Sequence, residues 1–252
     1  KPVEVPGTAL ESIGGRHRIL VLGWSRKVPL LVGELLQYDA GLEEIHLAGI
    51  TPIEERAAAF DGLNMEKVRH LVVNFLDPEV LAGLEPSSYD DIILVARQRL
   101  GDEAVADAAT LSTYLALEHL TLERRPHCVV EVLDEENWVL FDSEADDVML
   151  SPMVVSFVLA QVALKPELGL VFHELAQPSG ASIALCEVTT AEPDLPLVYS
   201  EVSAAARRQG YLAIGLQCRS VNGGRVLVNP APNLTWQPIA TDRLVVLTPV
   251  ND

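Results

Sequence analysis

The sequence predicts an α/β fold: a Rossmann-like, doubly wound parallel sheet, then two crossover helices, then a small α+β domain. Short apolar runs of strand length alternate with helix-spaced segments between residues 18 and 151. The connections between them are short, which favours right-handed βα crossovers. Past residue 151 the rhythm changes to two successive helices and then to β-rich sequence. The chain of 252 residues is 49% hydrophobic but only 5% aromatic, so its core rests on Leu, Val, Ile and Ala, as suits a parallel sheet covered by helices. The expected organisation is a linker over 1–17, a Rossmann-like domain over 18–151, crossover helices over 152–177 and a small α+β domain over 178–252.

The elements follow in order. RILVLG (18–23) is a continuous apolar strand, and KVPLLVGELLQY (27–38) has helical spacing at Val28, Leu31, Leu35 and Leu36. Pro29 is tolerated in a first turn, where its missing N–H has no helical partner. EIHLAG (44–49) is the second strand, and PIEERAAAF (52–60) opens a helix with Pro and acids. VRHLVVNFL (68–76) is the third strand, followed by a short helix, DPEVLAGL (77–84), capped by Asp77. DDIILVA (90–96) is the fourth strand, and an Ala- and Leu-rich helix spans 101–120. HCVVEVL (127–133) is the fifth strand, DEENWVLFDSE (134–144) a short helix and turn, and DDVMLS (146–151) the sixth strand. SPMVVSFVLAQVAL (151–164), capped by Ser151, and KPELGLVFHELA (165–176) are helices, and QPSGAS (177–182) breaks the chain. Strands at 182–188, 211–218, 225–230 and 242–248 and a helix at 198–210 complete the second domain. Asn222-Gly223-Gly224 between two alternating runs signals a hairpin.

The net charge of −18 repels phosphate backbones and anionic lipid, so nucleic acid is not an expected partner. Cys128, Cys186 and Cys218 are odd in number, far apart and set in apolar surroundings. They read as buried reduced thiols of a reducing compartment, and no zinc-ligand spacing accompanies them. No apolar run approaches the roughly 20 residues of a membrane span. The first fifteen residues lack a signal-peptide core and read as a linker, as of a chain cut from something longer or carrying a flexible leader.

The first strand and helix invite comparison with the dinucleotide fingerprint G-x-G-x-x-G, in which bare glycines let the cofactor and helix approach. Here the positions read Gly23, Trp24, Ser25, Arg26, Lys27 and Val28. Ser25 sets a side chain where pyrophosphate would press, Val28 pushes the helix off the strand, and the second strand ends without the acid that grips a ribose. The loop argues against NAD, while Arg26 and Lys27 at a helix start could meet an anion. Gly23 to Lys27 are therefore the candidate ligand-binding residues. No GxSxG, HExxH or Walker loop is present, and no catalytic residue is assigned. Acidic clusters can hold Ca²⁺. No EF-hand spacing supports it here, and capping and solubility account for most of them. Weak metal candidates at the carboxyl ends of the strands are Asp77, Asp102 and Asp134.

The ordered motifs resemble a known family. A degraded glycine loop, two helices after the sixth strand and a small α+β unit are similar to RCK domains, the TrkA-type regulators of potassium channels and transporters. The residues RILVLGWSRKVPLLVGELLQYDAG (18–41), SPMVVSFVLAQVALKPELGLVFHELAQPSGASIAL (151–185), YSEVSAAARRQGYLAIGLQC (199–218) and VLVNP (226–230) resemble more closely the second RCK module of the CASTOR and POLLUX ion-channel family and its bacterial relatives.

The resemblance implies a non-enzymatic gating module on the cytoplasmic side of a membrane. Such a module is a homo-oligomer, a dimer or higher ring, beside the pore domain of a cation channel, often answering to Ca²⁺ or a nucleotide. It carries no particular ligand over to this chain. It implies pairing through the crossover helices, at Met153, Val154, Phe157, Val158, Val162, Leu170 and Phe172. The helix over 151–164 supports pairing independently, because a helix apolar on nearly every side needs cover on every side. The alternatives are an NAD(P)-dependent oxidoreductase on the same sheet and a ligand-independent scaffold ring.

Overall fold

The computed structural model describes residues 3–4, 17–38, 41–97, 103–120, 124–141, 147–177, 180–190, 195–218, 221 and 225–248. The chain forms two compact units, Gly14–Leu164 and Lys165–Asp252 with Lys1–Ile13.

The first unit is built on six parallel strands: β1 (His17–Leu22), β2 (Leu42–Gly49), β3 (Val68–Val72), β4 (Asp91–Leu94), β5 (His127–Val132) and β6 (Asp147–Leu150). Their spatial order is β3-β2-β1-β4-β5-β6, the doubly wound order, whose switch point lies between β1 and β4. The connecting helices are α1 (Val28–Tyr38), α2 (Ile53–Ala57), α3 (Pro78–Gly83), α4 (Glu103–His119) and α5 (Glu135–Trp138). A single 3₁₀ turn, Ala58–Phe60, extends α2. α6 (Ser151–Leu164) follows β6 directly.

Two apolar clusters flank the sheet. One gathers Leu20, Leu22, Ile92, Leu94, Val130 and Val132 with Leu81 of α3 and Tyr114 and Leu117 of α4. The other gathers Ile19, Val21, Ile45 and Leu47 with Val28 and Val32 of α1 and Phe60. Along β4 to β6, Ile92, Leu94, Cys128, Val130 and Leu150 are buried, while Ile93, Val129 and Met149 on the opposite face are partly or fully exposed. Among the described residues, no helix lies across that half of the second face as α1 lies over β1 and β2.

The second unit holds α7 (Leu168–Leu175), β7 (Ile183–Glu187), α8 (Tyr199–Arg208), β8 (Leu212–Gln217), β9 (Val226–Val228) and β10 (Arg243–Leu247). The strands form an antiparallel sheet of order β9-β8-β10-β7. Tyr199, Val202, Ala205 and Ala206 of α8 pack with Ala184, Cys186, Leu216, Leu244 and Val246. Val3–Glu4 pairs antiparallel with Thr189–Thr190, and Leu197–Val198 with Thr235–Trp236.

The fold class read from the sequence is the one observed. The strands predicted at 68–76 and 90–96 are shorter in the structure. The two crossover helices, grouped over 152–177 in the sequence reading, divide between the compact units, α6 with the first and α7 with the second. The Asn222-Gly223-Gly224 turn lies outside the described residues, although β8 and β9 on either side of it pair antiparallel. Cys128, Cys186 and Cys218 are buried.

Candidate functional site

The site lies at the carboxyl end of the parallel sheet, where the loop after β1 passes into α1. Gly23 has φ +113°, and a Cβ there would lie 2.3 Å from the Val95 carbonyl oxygen. Only glycine fits this turn, because β1 and β4 are neighbours and the chain must leave one strand against the backbone of the other.

The next residues close the loop on itself. Ser25 is buried, its Oγ accepts a hydrogen bond from the Lys27 amide at 3.3 Å, and its carbonyl accepts from Val28 at 3.1 Å. The first turn of α1 therefore answers part of its own unpaired N–H set with a protein hydroxyl, where a nucleotide fold would present those groups to phosphate. Val28 is fully buried and fills the place of the third fingerprint glycine from within the core. Trp24 packs on Phe60, ring centroids 5.7 Å apart, and the Arg56 guanidinium lies 6.0 Å from the Trp24 ring. Arg26 is exposed.

Lys27 points elsewhere. Its ammonium pairs with the Glu131 carboxylate at the end of β5 and donates to Ser151 Oγ at 2.8 Å. The second oxygen of Glu131 accepts from the Ala96 amide at 3.1 Å, just past β4. One lysine and one glutamate thus join the start of α1, the ends of β4 and β5, and the first residue of α6. They close one end of an apolar trough of about 280 Å³. Ile93, Val129 and Met149 form its floor, Val28 and Leu31 one wall, and Val154 and Val155 the other.

Sequence reasoning placed Gly23 to Lys27 together but missed Glu131, Ser151 as a partner, and Arg56. The signal for Glu131 was a lone acid inside the apolar run HCVVEV. Arg56 sits in the Ala-rich helix EERAAAF, yet it is buried and donates to the carbonyls of Leu47 (2.8 Å), Leu71 (3.1 Å) and Gly49 (3.4 Å). Burial pushes its guanidinium down from the ordinary value. It terminates β2 and β3 where a dinucleotide fold would place a ribose-binding acid.

Asp77 accepts from the Glu79 amide and Asp134 from the Glu136 amide, both at 3.0 Å, as helix N-caps. Asp102 lies outside the described residues. Among the described residues no group of three or more His, Cys, Asp or Glu side chains could hold a metal ion.

The crossover-helix candidates are mostly exposed. α6 has no buried residue, with Phe157 59% and Leu159 64% exposed, and Met153 and Val154 are exposed too. Val158, Val162 and Phe172 are half-buried, and Leu170 of α7 is exposed. Among the described residues no helix is long and apolar enough to cross a membrane.

No known family model matches the chain. It is similar to the probable ion channel CASTOR of Oryza sativa subsp. japonica, 24% identical over 275 residues, covering 92% of this chain and 30% of that protein. It is similar to the ion channel CASTOR of Lotus japonicus, 23% identical over 254 residues (85% and 29% covered). The ion channel POLLUX of Lotus japonicus is 22% identical over 259 residues (86% and 28% covered). The chain thus spans about 30% or less of the length of these relatives. Among solved structures, the human SLO3 gating ring shares the fold, with TM-score 0.64 and 14% identity over 92% of this chain and 44% of that chain. The CASTOR and POLLUX resemblance read in the sequence is borne out.

Proposed function

We propose that this chain is a non-enzymatic regulatory module of a cation channel, homo-oligomeric and placed on the cytoplasmic side beside the pore domain. The carrying observation is α6: fourteen residues, almost all apolar, with no buried residue among them. Met153, Val154, Phe157 and Leu159 are each about half exposed, so covering the rest of each by a partner is worth roughly 1–2 kcal/mol. The curated relatives are ion channels, which gives the assembly its context.

The coupling route runs through Lys27. A ligand at the carboxyl end of the sheet that drew Lys27 away from Glu131 would free Ser151, the first residue of α6. The ligand's differential affinity for the two arrangements would then bias the position of the assembling helix. The candidate ligands are Ca²⁺ and adenine nucleotides. The filled loop at Trp24 and Ser25 weighs against a dinucleotide in the usual pose.

Sedimentation equilibrium over a range of concentrations tests the assembly. A concentration-dependent dimer or larger oligomer is expected, with Phe157→Asp shifting it to monomer. A strict monomer at high concentration would overturn the reading. Thermal shifts with Ca²⁺, Mg²⁺, K⁺ and adenine nucleotides separate a sensing module from a permanently assembled scaffold, since ligand at 100 times its Kd adds about 2.7 kcal/mol. Calorimetry with NADH examines the oxidoreductase alternative, and no heat of binding is expected.

A further inference from the structure

At the amino end of the parallel sheet, opposite the Lys27 site, four titratable side chains stand side by side across four neighbouring strands. His17 opens β1, Asp91 opens β4, His127 opens β5 and Asp147 opens β6. His17 Nε2 pairs with Asp91 Oδ2. His127 Nδ1 lies 2.8 Å from Asp91 Oδ1, and its Nε2 lies 3.1 Å from Asp147 Oδ2. Both nitrogens of this ring face carboxylate oxygens, which accept but do not donate, so both contacts are hydrogen bonds only when the ring carries two protons. Of the cations close by in sequence, Arg124 donates to Asp90 Oδ1 and the Tyr89 carbonyl, and Arg125 pairs with Glu118. The Asp90 carboxylate also accepts from the Arg18 amide.

The strand held at the end of this row is the vulnerable one. β6 has four residues and, among the described residues, is the edge of the sheet and pairs only with β5, from Val129↔Asp147 to Val132↔Leu150. α6 starts at the residue after it. A short edge strand has few ladder bonds, so one additional tie at its first residue is a large share of what holds it.

We infer that His127 is a proton-operated clasp on β6. Charged, the ring donates to Asp91 and Asp147 at once and ties the starts of β4, β5 and β6 together. On losing a proton it keeps one N–H and turns a lone pair toward the other carboxylate, which must move away. Asp147, 76% exposed against 25% for Asp91, is the group that is released. The effector is the proton, and the element it biases is β6, with α6 directly after it. Burial works against the charged ring, but the hydrogen bonds and charges of Asp91 and Asp147 prevail and hold its pKa above the ordinary histidine value. The tie is therefore complete below about pH 6.5 and is lost as pH rises through the raised folded value. This concerns one unit of one chain and does not rest on the assembly proposed above.

Amide hydrogen exchange of the intact chain tests it, with β2 amides in the same sample as the reference that cancels base catalysis. Between about pH 6 and about pH 8.5, the protection of β6 relative to β2 is expected to fall several-fold in the unaltered chain. It is expected to stay flat in His127→Gln. Asp147→Asn, which keeps the histidine, provides the same flat profile should the first variant not fold. A wild-type ratio that does not change with pH, or an equal fall in a folded variant, would overturn the inference.

Discussion

Single residues decide whether the loop after β1 can exist. Gly23→Ala places a methyl 2.3 Å from the Val95 carbonyl in a backbone conformation that L residues rarely adopt. We expect a loss of about 2–4 kcal/mol in urea unfolding. Arg56→Met removes donors from three strand-end carbonyls while keeping the aliphatic bulk. Losing these charge-assisted bonds at a buried site should cost about 2–3 kcal/mol, seen as a lower denaturation midpoint with unchanged slope. Gly23 was legible because a glycine ending an apolar strand has few other uses. Arg56 was not, because nothing in EERAAAF tells a solvated arginine from a buried one. Only the strand ends brought to it by β2 and β3 make the difference.

At the scale of elements, α6 stands apart. Its apolar residues have no dominant face, so its amphipathicity cannot point it at one neighbour. Because Phe157 is exposed, Phe157→Asp should leave the stability of the dissociated chain within about 0.5 kcal/mol while abolishing association. Circular dichroism melts at low concentration, set beside sedimentation, separate the two effects. The periodicity of α1, the caps Asp77 and Asp134, and the Ser151 start of α6 were readable from local chemistry, since each acts within a few residues. The Lys27–Glu131 pair spans 104 positions and was not. Strand order, not sequence neighbourhood, sets β5 near the start of α1.

Across the whole molecule, charge sets the response to pH. Asp90 and Glu44 are partly desolvated, yet hydrogen bonds and nearby cations hold both carboxyls below their ordinary range. For Asp90 these partners are the Arg18 amide and Arg124, and for Glu44 they are His46, Arg69 and Arg18. Groups lowered on folding stabilise above the unfolded values of about 3.9 and 4.3 and lose that contribution as pH falls through the folded ones. His127 acts in the opposite direction and withdraws its contribution as pH rises. Urea midpoints measured against pH should therefore fall on the acid side below about pH 4 and decline again above about pH 6.5, the second limb disappearing in His127→Gln.

What the sequence determined by itself was the architecture: the alternation of strand and helix, the degraded glycine loop and the apolar helix after the sixth strand. Hydrophobic period and turn chemistry are local properties, and they are written in consecutive residues. The tertiary structure alone decided which charges meet. The Lys27–Glu131–Ser151 contact and the His17–Asp91–His127–Asp147 row arise where parallel strands set distant residues side by side, and side-chain electrostatics acts through space over a few ångströms whatever the separation along the chain.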